Sequence, residues 1–144
     1  MKYKIEYSEK LYDSNYSNVI NLLNNYYLHE LSETNENIRR GFGVYAKDEN
    51  SNLIGGLVGY SELNWMYLDS MYVYEQFRKQ GIAKKFMELA QKESIERNCI
   101  GIKLEAYQNT VEFYKKEGYL TYYVENDSLE HEIFYMKKIL IKNG

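Results

Sequence analysis

The chain has 144 residues, 44% of them hydrophobic and 27% charged, with a formal net charge of -3. Residues 1–144 read as a single domain with a substantial core, without linker, repeat or low-complexity tract. The small negative charge argues against general nucleic-acid binding, no apolar run approaches the roughly 20 residues that span a bilayer, and the single Cys99 excludes an internal disulfide or a cysteine-cluster metal site.

The first residues, Met1 to Glu6, lack the apolar core of a secretory signal, so a cytoplasmic location is the default expectation. Lys2 to Tyr7 alternates polar and apolar residues and predicts a first strand. Asp13, Ser14 or Ser17 would cap a helix running to about Leu31, with Val19, Ile20, Leu22, Leu23, Tyr26 and Tyr27 on its buried side. Ser32 to Arg40 is polar and predicts a loop or short second helix, a wall for a substrate cleft. His29 beside it reads as a surface or helix-end histidine.

Gly41–Lys47 and Leu53–Asn64 predict a hairpin turned by Asp48 to Asn52. Gly55, Gly56 and Gly59 inside its second strand mark a bulge or a close backbone approach. Met66–Tyr74 is the next strand. It runs into Tyr74-Glu75-Gln76-Phe77-Arg78-Lys79-Gln80-Gly81-Ile82-Ala83-Lys84-Lys85, which turns through a glycine into a helix. Such a turn presents free N–H groups and the positive end of a helix dipole, and four basic side chains at 78, 79, 84 and 85 add to its attraction for phosphate.

The helix runs from Ile82 to Arg97, with Ile82, Ala83, Phe86, Met87, Leu89, Ala90 and Ile95 as its buried stripe and Asn98 ending it. Cys99 reads as a packing residue. Ile100–Tyr107 predicts a strand, Ile100, Ile102 and Leu104 facing one way. Asn109 opens a short helix, Thr110–Glu117, closed by Gly118, and two strands, Tyr119–Glu125 and Ile133–Ile141, end the chain. The order β-α-(loop or α)-β-β-β-α-β-α-β-β is that of a mixed α/β sheet.

The glycine turn is neither a P-loop nor a dinucleotide fingerprint, because no Gly-Lys-Ser/Thr follows and the other glycines are absent. Yet Arg78-Lys79-Gln80-Gly81-Ile82-Ala83 matches the Gln/Arg-x-x-Gly-x-Gly/Ala motif of the GNAT superfamily of acyl-CoA-dependent N-acyltransferases. Asn109 with Phe113-Tyr114-Lys115-Lys116-Glu117-Gly118-Tyr119 resembles that superfamily's Asn…Phe-Tyr-x-x-x-Gly-Phe segment, although Asn109 precedes Tyr114 by five positions where seven is commoner. Glu130-His131-Glu132-Ile133-Phe134-Tyr135 echoes a subgroup's Gly-His-x-x-Tyr-Phe. The resemblance covers roughly Leu53 to the C-terminus.

The resemblance implies the GNAT fold and an N-acetyltransferase that moves acetyl from acetyl-CoA to a primary amine by direct attack in a ternary complex. It implies no metal and no covalent enzyme intermediate, and a homodimer as the commonest assembly. Backbone groups of Arg78, Lys79, Gln80, Gly81, Ile82, Ala83 and Lys84 would surround the pyrophosphate, with Asn109 also at the cofactor. Met71, Tyr72 and Val73 would pair with the pantetheine, and the N–H of Val73 or a neighbour would hold the thioester carbonyl. Tyr114 would be the general acid toward the departing thiolate.

For the base, Glu62, Asp69 or a water chain would serve. The position that often carries glutamate in the superfamily aligns with Tyr67, which points to Asp69 on the same strand as base, with a structural acid or a clamp on the substrate ammonium as the alternative reading of Asp69. His131 reads as a surface strand residue. A small cationic amine suits the acidic-leaning stretches Leu28 to Arg40 and Asn126 to Glu132; peptide amines stay open. The rival from another class is a non-catalytic acyl-CoA-binding domain on the same fold.

Overall fold

A computed structural model describes residues 2, 4–34 and 37–140 of the chain. Six strands form one sheet: β1 (Arg40–Lys47), β2 (Leu53–Glu62), β3 (Trp65–Val73), β4 (Gly101–Tyr107), β5 (Leu120–Asn126) and β6 (Glu132–Ile139), ordered β1-β2-β3-β4-β6-β5. β1, β2 and β3 are an antiparallel meander, β3 and β4 are parallel, and β6 runs antiparallel to both β4 and β5. The parallel pair requires a crossover, which α2 (Ile82–Glu96) provides; α1 (Ser14–His29) precedes the sheet and α3 (Val111–Lys116) follows β4.

α2 buries Phe86, Met87, Ala90 and Ser94 against one face of the sheet, where they meet Leu57, Met66, Leu68, Ile102, Leu104, Ala106 and Met136. The helix ends because Asn98 adopts φ 59° and its N–H, with that of Cys99, folds back onto the carbonyls of Ile95 and Ser94. The Cys99 thiol is buried.

Arg97, at the end of α2, ties the helix to the meander. Its guanidinium donates to the carbonyls of Arg40 and Gly41, to the hydroxyl of buried Ser61, and to Glu93 at 2.9 Å. Truncation strands those acceptors, so Arg97→Met is expected to cost roughly 2–4 kcal/mol, read as a lower urea midpoint at unchanged slope.

Two expectations fail. Residues 4–10 form no strand, and Tyr3 lies outside the described residues. The alternation of Lys2 to Tyr7 is real, but a strand needs a neighbouring edge and none of the six strands pairs with it. α1 buries no residue: Val19 is 61% exposed, Leu22 67% and Tyr26 51%. The six apolar positions spread over roughly 160° of the helix, more than one flat contact covers. Ile20, Leu23 and Tyr27, on one half of that arc, are the half-buried ones.

Two polar contacts fix α1 in place. The Asp13 carboxylate accepts from the Tyr16 N–H at 2.9 Å as N-cap. The Asn24 amide both donates to and accepts from the Arg39 backbone, at 2.9 and 2.8 Å. Smaller differences are that Ile100 precedes β4 and is 39% exposed, and that the Ser32–Arg40 region holds no helix among its described residues.

Candidate active site

The site starts where two parallel strands part. β3 and β4 pair from Trp65–Gly101 to Leu68–Leu104 and no further, although β3 continues to Val73 and β4 to Tyr107. The cause of the departure lies on the other side of β3. The β2–β3 register places Ser70 opposite Val58 and Leu68 opposite Gly59, which leaves Asp69 as an extra, unpaired residue. This bulge bends β3 away from β4. It depends on Gly59, where a Cβ would run into the Tyr67 carbonyl.

Beyond the bulge, Tyr74 donates its N–H to the Ile54 carbonyl at 2.9 Å. Strand alternation then turns the N–H groups of Met71 and Val73 away from β2, toward the gap, and that of Tyr72 toward β2. The Val73 side chain is buried and Met71 packs on the core, so both offer backbone to the gap. The Tyr72 side chain is exposed, edge-on to Tyr74 and 5.3 Å beneath the Arg78 guanidinium.

At the end of β3 a 3₁₀ turn, Glu75–Phe77, leads into the glycine segment. Arg78 Nε donates to the Val73 carbonyl at 2.8 Å, which pins the loop to the strand end. Lys79 (φ 63°) and Gly81 (φ 84°) both take left-handed backbone, and Gly81 is the N-cap of α2. Lys85 is the first residue of the helix whose N–H reaches a carbonyl, that of Gly81 at 3.0 Å. The N–H groups of Gly81, Ile82, Ala83 and Lys84 therefore have no backbone acceptor among the described residues, as a helix start dictates, and those of Lys79 and Gln80 lie directly before them. A Cβ at Gly81 would meet nothing within 4 Å, so the ground above these donors is open. Ile82 and Ala83 pack their side chains on the core and hold the cradle rigid. A diphosphate fits such a donor set.

Across the gap, Asn109 and Thr110 lie in the turn after β4, where the Thr110 hydroxyl donates to the Tyr107 carbonyl. α3 ends in a paired cap: the Gly118 N–H bonds the Lys115 carbonyl and the Tyr119 N–H bonds the Tyr114 carbonyl, both at 3.0 Å, with Gly118 at φ 95°. The apolar contact that accompanies such a cap is here Tyr114 against buried Tyr119, edge to face at 6.1 Å between ring centres, with Phe113 at 5.2 Å. This holds the Tyr114 ring, and its hydroxyl makes no hydrogen bond to any described residue.

Burial raises the pKa of the Tyr114 and Tyr119 phenols above the ordinary value of 10.0. Tyr114 therefore holds its proton at neutral pH. Because both folded values lie above the unfolded one, their contribution to stability is whole below about pH 10 and is lost as pH rises through the folded values. The urea midpoint is accordingly expected to fall between pH 9 and 11, less steeply in Tyr119→Phe.

One cavity of about 370 Å³ occupies the gap, with Asp69, Met71, Leu104, Glu105, Asn109 and Tyr114 among its walls. Asp69 is exposed and accepts from the Tyr12 hydroxyl at 3.1 Å. Glu62, the other carboxylate weighed as base, is instead gripped at two points by Arg39, at 3.1 and 3.2 Å. His131 lies in the β5–β6 turn against Asp127 at 3.1 Å, and His29 is exposed in the last turn of α1. Among the described residues no group of His, Cys, Asp and Glu converges as a metal site requires, and no helix is long and apolar enough to cross a membrane.

The family model for the Acetyltransferase (GNAT) family matches residues 7–119. The chain belongs to this family. This GNAT chain is an acetyltransferase. It is 30% identical over 80 residues to a blasticidin-S acetyltransferase of Streptomyces morookaense, which spans 54% of this chain and 59% of that protein. Two solved structures share its fold: an Agrobacterium tumefaciens protein described as a candidate acetyltransferase (TM-score 0.74, 23% identity, 97% of this chain and 100% of that one), and an aminoglycoside 6'-N-acetyltransferase complexed with coenzyme A (TM-score 0.64, 17% identity, 92% and 97%).

Sequence reasoning placed the substrate walls in Leu28–Arg40 and Asn126–Glu132. The hollows beside Asp69 are walled by Tyr12, Tyr16 and Ile20, by Tyr60 and Tyr67, and by Tyr122 and Tyr135, with Arg39 the one residue from those stretches. Among seventeen tyrosines no local signal singles these out.

Proposed function

We propose that the chain acetylates the primary amine of a small molecule, with acetyl-CoA as donor, by direct attack in a ternary complex. The observation that carries this reading is that Asp69, Tyr114 and the unpaired edges of β3 and β4 share one cavity. The relatives named for blasticidin-S and aminoglycosides support a small-molecule acceptor.

Acetyl-CoA, when bound, supplies an activated acetyl thioester. The N–H groups from Lys79 to Lys84 would grip its pyrophosphate, with Lys79 and Lys84 adding charge. Asn109 lies at the far wall of the gap, and Met71, Tyr72 and Val73 would line the pantetheine arm. The N–H of Val73 or Met71 donates to the thioester oxygen and strengthens that bond as negative charge grows there. Asp69, alone or through water, takes the proton that the ammonium must lose before its nitrogen can attack.

The new N–C bond forms as the C–S bond breaks, and the Tyr114 phenol gives its proton to the sulfur. The products are an acetamide, CoA as free thiol, and one proton. Tyr114 regains its proton from the amine side through water.

The test is release of CoA thiol from acetyl-CoA across a panel of primary amines. Amine-dependent release with an acetylated product supports the reading. Acetyl-CoA binding without release for any amine would leave the non-catalytic binding domain standing in its place.

A further inference from the structure

We infer that the acceptor is an amine carrying an apolar aromatic ring a few bonds from its nitrogen, an arylalkylamine, and that the ring sits in a hollow between α1 and the meander. This rests on the amine-acetylating reading above and adds the class of acceptor to it. The hollow has a volume of about 310 Å³, within the usual small-molecule range, and is walled by Tyr12, Tyr16, Ile20, Val58 and Tyr60 together with Asp69.

Position comes first. Asp69 lines this hollow and also the gap in which Tyr114 stands, so an ammonium held at Asp69 has its reacting nitrogen at the gap and its body beside α1. Chemistry comes second. Two of the polar groups bordering the hollow are already engaged: the Tyr12 hydroxyl donates to Asp69, and the Arg39 guanidinium is held at two points by Glu62 while lying 4.6 Å over the Tyr60 ring. Apart from the Tyr16 and Tyr60 hydroxyls and the Asp69 carboxylate, what the lining offers a ligand is the ring faces of Tyr12, Tyr16 and Tyr60 and the aliphatic surface of Ile20 and Val58. A hydroxyl-rich or polycationic body would lose its hydration there without replacement, whereas an aryl group gains contact and loses nothing.

The second hollow beside Asp69, walled by Lys103, Glu105, Tyr122 and Tyr135, is the polar alternative and would suit a polyamine or an aminosugar. The two are separated by Tyr60, which borders both and stacks on Tyr67 at 5.1 Å. The assignment is therefore decided by which hollow sets the rate.

Gly41 gives a clean way to close the aryl hollow. Phe42, Val44 and Ala46 of β1 pack toward the core, so Gly41 faces the opposite side with its cross-strand partner Tyr60. A Cβ there meets nothing within 4 Å, so a larger side chain has room to start toward the hollow, and the carbonyl that Arg97 binds is untouched. Tyr16→Ala opens the same hollow from the α1 side, where Tyr16 is 45% exposed.

The experiment measures kcat/KM by thiol release for phenethylamine, putrescine and kanamycin, in the native chain, Gly41→Ile and Tyr16→Ala, with acetyl-CoA affinity measured by calorimetry in each. Phenethylamine is expected to be favoured by about tenfold or more over the other two, and Gly41→Ile to reduce that advantage below about threefold. Tyr16→Ala should weaken it as well, with acetyl-CoA affinity unchanged within about twofold in both variants. Preference for putrescine or kanamycin, or an aryl preference that survives Gly41→Ile, overturns the assignment of the hollow. Absence of acetyl-CoA binding by the native chain is a different failure and removes the underlying reading instead.

Discussion

Replacing Tyr114 by phenylalanine is expected to lower kcat about 100-fold or more while leaving acetyl-CoA affinity within about twofold. The ring would stay in place, because Phe keeps both edge-to-face contacts and the cap at Gly118 is made of backbone. Only the proton donor is lost, and a thiolate then departs unprotonated. The loss should shrink for thioesters whose thiol is more acidic, since such leaving groups need less help. Burial raises the Tyr114 phenol, so the native profile should show no loss of acid function below about pH 10. Equal turnover in Tyr114→Phe would remove this residue from the mechanism.

Gly81→Val should do the reverse, raising the Kd for acetyl-CoA about 100-fold with a smaller direct effect on chemistry. Two causes act together. At φ 84° a β-branched residue is strained by roughly 1–2 kcal/mol, which turns the N–H groups of the cradle. The added methyl groups also occupy the open ground in which a diphosphate would lie. Gly81→Ala should fall between the two. Calorimetry with acetyl-CoA and a urea midpoint separate the causes: strain lowers the midpoint, while occlusion affects affinity alone.

What the sequence disclosed follows from the range over which each feature is determined. The glycine turn, α2, α3 and its cap depend on residues within a few positions of one another. Gly81 and Gly118 accordingly carry the left-handed backbone that their places after a strand and after a helix lead one to expect. The splay of β3 from β4 has no local signature in the sequence, because its cause is nonlocal: the β2–β3 register that leaves Asp69 unpaired. Asp69 was named from its place on the strand, but nothing local announces that it borders three hollows at once.

The errors have the same origin. Lys2 to Tyr7 has a strand's alternation and no partner edge. The apolar residues of α1 were all assigned to a buried side, although a helix lying on a sheet covers only part of so wide an arc. The tyrosine-lined hollows have no local signature, because Tyr12, Tyr16, Tyr60, Tyr122 and Tyr135 come from four separate segments and meet only in the folded chain.

The central claim is that the glycine cradle and the splayed strand together hold acetyl-CoA. The most direct measurement is a titration of the isotopically labelled protein with coenzyme A, followed through its backbone amide resonances. The account predicts that the largest shifts fall on the N–H groups of Lys79 to Lys84, with a second set at Met71 and Val73. Shifts confined to other surfaces, or no shifts at millimolar coenzyme A, would contradict it.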